Sequence, residues 1–180
     1  MTQMTDAEFN RLLARFTAAA ESGDGARFAA CFTEDAVYHD YIYGPHAGRE
    51  SIAHMMQDLF HRDATDYRWE MFDGVISATG PASGMGYAWS LSGFTSTIPQ
   101  FAGQKVLIDG MSRFVIKDGL VAEYRESVNG GVAMAQLGVE PARMAKVMTR
   151  WAGWLHDRPE SQAFLKAPKG AHAKAQGAEA

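Results

Sequence analysis

The hydrophobic period of this chain changes twice, and the two changes limit the folds it can reach. Residues 5–22 repeat apolar side chains at helical spacing, with Phe9, Leu12, Leu13 and Phe16 on one stripe. Thr5 and Asp6 are the N-cap candidates, and Ser22-Gly23-Asp24-Gly25 ends the run. Asp24 then caps a short second helix, GARFAACF, with Phe28 and Phe32 on one face. AVYHDYIY (36–43) reads as a first strand, broken by Gly44-Pro45. Arg49 to His61 forms a third helix carrying Ile52, Met55, Met56, Leu59 and Phe60.

Beyond that helix the pattern alternates. Segments 67–76, 84–97, 105–116 and 120–127 read as strands, punctuated at Gly80-Pro81, Pro99-Gln100 and Lys117-Asp118-Gly119. Asp118-Gly119 is a hairpin signal, because that dipeptide readily takes the positive φ angles of a tight turn. Past Gly130-Gly131 the period is helical again, best over 142–155, and Pro159 and Pro168 break what remains. From Lys166 onward Ala, Lys and Gly dominate without periodicity, which reads as a mobile tail. Three helices followed by an antiparallel sheet predict an α+β fold: a strongly bent, cone-shaped sheet on three N-terminal helices, plus a C-terminal helix. The expected organisation is one domain over 1–160 and a tail over 161–180. A bent sheet with helices on one face leaves a conical hollow between the layers.

At 180 residues there is enough chain for one full core. A net charge of −4 with interspersed signs predicts neither a nucleic-acid partner nor a membrane surface. The single Cys31 excludes an internal disulfide, and no apolar run approaches the ~20 residues of a membrane span. The expected location is the cytoplasm. Ten Met, ten Phe, six Tyr and four Trp exceed what simple patterning asks for, and they suggest an apolar pocket as well as a core.

Strand alternation puts Tyr38 and Asp40 on one face, with Val37 and His39 on the other. It groups Tyr124, Glu126 and Val128 on the last strand, and Gly110, Ser112 and Phe114 on the strand before it. Two carboxylates and two phenols facing an apolar hollow would make an acid–base site, since desolvation raises a carboxyl pKa toward neutrality. Asp40 reads equally well as a turn-capping residue. Glu126 has a competing reading as a surface ion pair with Arg125 or Arg113, and that reading is slightly favoured. The six histidines show no HxH or HExxH spacing, so no metal is expected. No phosphate-binding glycine motif precedes a helix, so no cofactor is expected.

The strings LLARFTAAAESGDGARFAACFTEDAVYHD, GPHAGRESI and SRFVIKDGLVAEYRES carry a resemblance over roughly residues 5–130. In order and content they resemble the superfamily of nuclear transport factor two, ketosteroid isomerase, SnoaL-like polyketide cyclases, limonene epoxide hydrolase and scytalone dehydratase. The resemblance implies the cone fold. It places Asp40 at the general-base position of ketosteroid isomerases, but puts Phe16 and Gly110 where their oxyanion donors stand, with Asp109 on the opposite strand face. Steroid isomerisation by that route is therefore disfavoured. Against the epoxide hydrolases, Tyr38-His39-Asp40 resembles the Tyr-x-Asn pair and Glu126 the later Asp. Ala88-Trp89-Ser90 replaces the Arg-x-Asp pair. For the Asp–His dyad of the dehydratases and dehydrochlorinases the nearest residues are Asp24 and His61, with the spacing at His61 shifted and Asp24 committed to a cap. Members of this superfamily pair through the outer sheet face, which implies a homodimer using Tyr87 and Trp89.

The expectation from residues and resemblance together is a cofactor-free lyase or isomerase acting on a small apolar or aromatic molecule, such as a lignin-type or polyketide fragment. Asp40 would take or relay the proton, Tyr38 would orient the substrate oxygen and Glu126 would assist. Phe16, Met55, Phe60, Tyr124, Phe114 and Ser112 are the expected substrate-binding residues. The rival is a binding or dimerisation module that keeps the cone without the chemistry.

Overall fold

The computed structural model describes residues 3–40, 42–80 and 82–167. It divides into two compact units, 1–139 and 140–180, where the sequence pattern suggests one domain through 160. Gly138, at φ 71°, and Pro141 punctuate the chain at that boundary.

Helix α1 (Asp6–Ser22) starts on a reciprocal cap: Glu8 N–H donates to Thr5 Oγ1 at 3.3 Å, and Thr5 N–H donates to Glu8 Oε2 at 2.8 Å. It ends at Gly23 in the left-handed region. Asp24 Oδ1 accepts from Arg27 N–H at 2.9 Å and caps α2 (Gly25–Ala29). The helix stops short of the expected Phe32, which instead opens β1 (Phe32–Asp40) by pairing with the last strand at Val121. Its ring still packs on Phe28, 5.2 Å away, so the helical spacing correctly signalled burial but not conformation. Gly44-Pro45 does not break the strand into a loop; it starts β2 (Gly44–Ala47), which returns antiparallel along β1.

The third helix is continuous but not uniform. α3 (Arg49–His54) widens into a π-helical segment, Met55–Phe60, before one last turn, α4 (His61–Asp63). Four strands follow: β3 (Ala64–Gly80), β4 (Ser83–Ser96), β5 (Lys105–Lys117) and β6 (Leu120–Val128). Sheet order is β2-β1-β6-β5-β4-β3, antiparallel except for the parallel β1–β6 pair, and the sheet curls without closing. Asp118 and Gly119 take φ 51° and 79° between β5 and β6, as a tight hairpin requires. Helix α5 (Gly130–Gln136) completes this unit.

Two features shape the inner face. In β3 the register slips between Thr65 and Arg68 and again between Phe72 and Val75, at Asp66 and Asp73 with φ 53° and 52°. Each bulge flips the side-chain parity, so Ala64, then Trp69, then Gly74 turn inward along one strand. In β4 every inward position from 84 to 90 is small: Gly84, Gly86, Ala88 and Ser90, all buried. A Cβ on Gly86 would lie 2.3 Å from Phe9 Cζ, so the missing side chain is what lets α1 sink its aromatic face onto the sheet. Phe9 then meets Phe114 edge-on at 5.4 Å, and Phe16 packs between Trp69 at 5.3 Å and Tyr124 at 5.4 Å. The core is largely aromatic, with Phe9, Phe16, Phe28, Phe32, Tyr38, Phe114 and Tyr124 all fully buried.

The second unit holds α6 (Pro141–Asp157) and α7 (Pro159–Lys166), neither of which buries a residue. Pro159 opens a helix rather than breaking one, as its fixed φ allows at a first turn. Residues 161–166, expected as tail, are therefore helical. Residues 168–180 lie outside the described residues. Among the described residues no helix is long and apolar enough to cross a membrane.

Candidate functional site

Core aromatics fill most of the hollow of the first unit, and a cavity of about 160 Å³ remains. Tyr38 and Asp40 from β1, Ile42 and Tyr43 beyond it, Phe60 from the π segment and Asp63 from α4 line it. Ala64, Tyr67 and Trp69 of β3, Ser92 and Phe94 of β4, Ile98, Ile108 of β5, Glu126 of β6 and Leu137 complete the wall. The charged side chains of this lining are all carboxylates. A larger groove of about 380 Å³ runs past Met4, Glu8, Ile76 and Asp118, but it contains none of the carboxylates that face the cavity.

Asp40 ends β1, and its Oδ1 accepts two backbone hydrogen bonds, from Ile42 N–H and Tyr43 N–H, each 2.7 Å. It is thus both a turn-capping residue and part of the cavity wall. Burial pushes its pKa up to about 6 against the opposing pull of those two donors. Glu126 is pushed further, to about 7, by burial and then by the charge of Asp40, with the Tyr124 hydrogen bond pulling it down. Tyr124 O–H donates to Glu126 Oε2 at 2.9 Å, and Ser112 Oγ lies 3.0 Å from the same phenol oxygen. Arg113 and Arg125 converge on Glu123 Oε1, at 2.9 and 2.8 Å, so the ion pair expected for Glu126 is made by its neighbour on the other face.

The tyrosines answer the same field. Burial raises the pKa of Tyr38 and Tyr67, and nearby Glu126 and Asp40 raise both further. Tyr43 O–H donates to Asp63 Oδ2 at 2.7 Å, and Arg62 holds Asp63 through bonds of 2.7 and 2.8 Å. Trp69 is fixed by its indole N–H donating to Ser90 Oγ at 2.7 Å. Tyr43, Phe60, Tyr67 and Phe94 form a chain of rings with centroids 5.3, 6.3 and 6.2 Å apart.

The structure brings Tyr38, Asp40, Glu126 and Phe60 to one cavity, as the parity and periodicity suggest. Phe16, Met55, Phe114, Tyr124 and Ser112 do not line it; they are fully buried in the core. The physical reason is that α1 and the aromatic rungs pack the rest of the hollow solid. Tyr124 reaches the cavity from behind, through its bond to Glu126 and by stacking on Tyr38 at 4.6 Å, and Ser112 backs Tyr124. Tyr43, Tyr67, Trp69 and Phe94 line it without having been singled out. The β3 bulges hide the parity of 67 and 69 from a simple alternation.

The remaining candidates sit elsewhere. Asp24 caps α2, and His61 Nε2 lies 2.7 Å from Ala20 O, so the Asp–His dyad is not assembled. His46 pairs with Ser51 and His54 with Asp58. Gly110 is buried while Asp109 is exposed on the opposite face. Among the described residues no group of three or more His, Cys, Asp or Glu is arranged to hold a metal ion.

The same fold occurs in solved structures of low sequence identity. TsrD from Streptomyces laurentii is 18% identical, with 76% of this chain and 99% of that one covered and a TM-score of 0.62. The hexachlorocyclohexane dehydrochlorinase LinA-type3 from Novosphingobium barchaimii is 14% identical, with 68% and 85% covered and a TM-score of 0.61. A candidate polyketide cyclase from Xanthomonas campestris is 20% identical, with 73% and 98% covered and a TM-score of 0.55. No curated protein matches the chain. Residues 13–124, which run from within α1 through all of β1 to the first half of β6, match the SnoaL-like domain, and the chain belongs to that family.

Proposed function

We propose that the cavity carries out cofactor-free acid–base chemistry of the lyase or isomerase type on a small apolar molecule. The observation that supports this most is the pair of carboxylates, Asp40 and Glu126, in an aromatic cavity whose lining includes no basic side chain. Their pKa values, about 6 and about 7, divide the labour near neutral pH: Asp40 is mostly ionised and Glu126 is about half protonated. Asp40 takes a proton from a substrate carbon. Glu126 donates its own to an oxygen that leaves as water or hydroxyl compound, or to a second carbon in a double-bond shift. Tyr38 orients the substrate oxygen. The rings of Tyr67, Trp69 and Phe94 suit a flat, unsaturated substrate. The test is turnover of a panel of small hydroxy-carbonyl and aromatic compounds by wild type, Asp40→Asn and Glu126→Gln. A loss in kcat of about 100-fold or more in each variant is expected; a wild-type rate in Asp40→Asn overturns the assignment.

A second reading is binding without turnover, favoured by one observation: Asp40 Oδ1 is already engaged by two backbone donors. An aromatic ligand that stabilises the protein and emerges unchanged would select it.

The outer sheet face is a candidate for self-association. Phe72, Trp89 and Met111 stand in one register row with exposures of 39, 44 and 43%, beside Tyr87 and Val75. A homodimer would cover that patch.

A further inference from the structure

We propose that the ligand class of this cavity is an apolar molecule bearing an alkylammonium group. The inference rests on the reading that the cavity is the ligand site, and not on turnover there. Three side-chain carboxylates line it, from Asp40, Asp63 and Glu126, with no Lys, Arg or His among the lining residues. Among the described residues, Asp63 alone of the three has a cationic partner, Arg62. Asp40 and Glu126 are held by neutral donors alone, the Ile42 and Tyr43 amides and the Tyr124 hydroxyl. A neutral ligand would leave the ionised forms of Asp40 and Glu126 without a counter-ion.

The rest of the wall has the complementary chemistry. Tyr43, Phe60, Tyr67, Trp69 and Phe94 are among the residues that line the space, and an ammonium bearing methyl groups is attracted to aromatic rings most strongly when desolvated. Trp69, the most favourable ring for this contact, is locked by its bond to Ser90 and does not have to be ordered on binding. The carboxylates are not grouped as metal ligands, so a diffuse organic cation fits the arrangement better than a compact ion. With such a ligand bound, Glu126 ionises and serves as counter-ion, while Asp40 keeps the part of base.

The pH dependence follows from the titratable groups that face the pair among the described residues: Tyr38, Tyr43, Tyr67 and Tyr124, whose pKa values are all raised, and Asp63 with Arg62, whose mutual bonds hold both ionised. Between pH 5 and 8 the groups that change charge are therefore Asp40 and Glu126. A quaternary ammonium, which cannot lose a proton, binds more tightly as they ionise.

Calorimetric titration of the full chain with choline and with its neutral isostere 3,3-dimethylbutan-1-ol tests this at pH 5 and pH 8. At pH 8 choline should bind about tenfold or more tightly than the alcohol, and most of that preference should vanish at pH 5. Glu126→Gln and Asp40→Asn should each reduce the preference, and Phe94→Leu should weaken choline more than the alcohol. Equal or tighter binding of the alcohol at pH 8, or no saturable binding of choline, overturns the inference. Choline bound by a protein that turns over none of the panel compounds would sink the catalytic reading and leave this one standing.

Discussion

The Tyr124 hydroxyl donates to Glu126 Oε2 at 2.9 Å while lying 3.0 Å from Ser112 Oγ, and this two-bond relay ties a buried core rung to the cavity carboxylate. Tyr124→Phe removes the donor without changing the ring. Glu126 then loses the one hydrogen bond that favours its ionised form, so its titration should move upward. Urea denaturation at pH 8 should show a loss of about 1.5–3 kcal/mol, the range for a hydrogen bond to a charged group.

Stability should fall as pH rises through the cavity carboxylates. Both have folded pKa values above their ordinary ones, so the folded state binds more protons than the unfolded state in between. The decline should run from about pH 4 to about pH 7 and flatten above, at roughly 3 kcal/mol for each group. Glu126→Gln cannot ionise. It should therefore be more stable than wild type at pH 8 and show a shallower decline, measured as urea midpoints across that range.

Gly86 and Phe9 make a steric prediction independent of chemistry. Gly86→Ala places a methyl carbon 2.3 Å from Phe9 Cζ and must push α1 off the sheet. A loss of about 1–3 kcal/mol is expected. Adding Phe9→Leu to Gly86→Ala should recover part of it, as a double-mutant cycle would show.

Self-association through the outer face is tested by charge. Trp89→Glu beside the exposed Phe72 and Met111 should convert a dimer to a monomer in light scattering without lowering the melting temperature of the first unit. An unchanged mass would place any interface elsewhere.

Much of this arrangement is legible in the residues. Thr5, one of the two N-cap candidates, Asp24, and Asp118-Gly119 are local signals whose geometry is settled within four residues, and each forms as its chemistry dictates. Period-two alternation along β1 and β6 groups Tyr38 with Asp40 and Tyr124 with Glu126, while it takes the resemblance to say that those faces turn toward the hollow. What alternation cannot see is a bulge. Asp66 and Asp73 each reverse the facing of β3, so a count carried on from Ala64 mis-faces Tyr67 and Trp69, and one carried on from Trp69 mis-faces Gly74. Nor does hydrophobicity distinguish filler from wall. Phe16, Met55 and Phe114 have the composition of pocket residues, but the small inward side chains of β4 let α1 pack down on the sheet, and all three are fully buried. Phe32 shows the same limit at a helix end, where pairing with Val121 outweighs helical spacing.

The central claim is that Asp40 and Glu126 share a cavity that holds them near neutrality, and carbon-detected NMR titration of their carboxyl groups tests it without any ligand. Midpoints of about 6 for Asp40 and about 7 for Glu126 are expected, with the Glu126 midpoint falling in Asp40→Asn as the neighbouring charge is removed. Ordinary carboxylate midpoints near 4 for both, unaffected by that substitution, would contradict it.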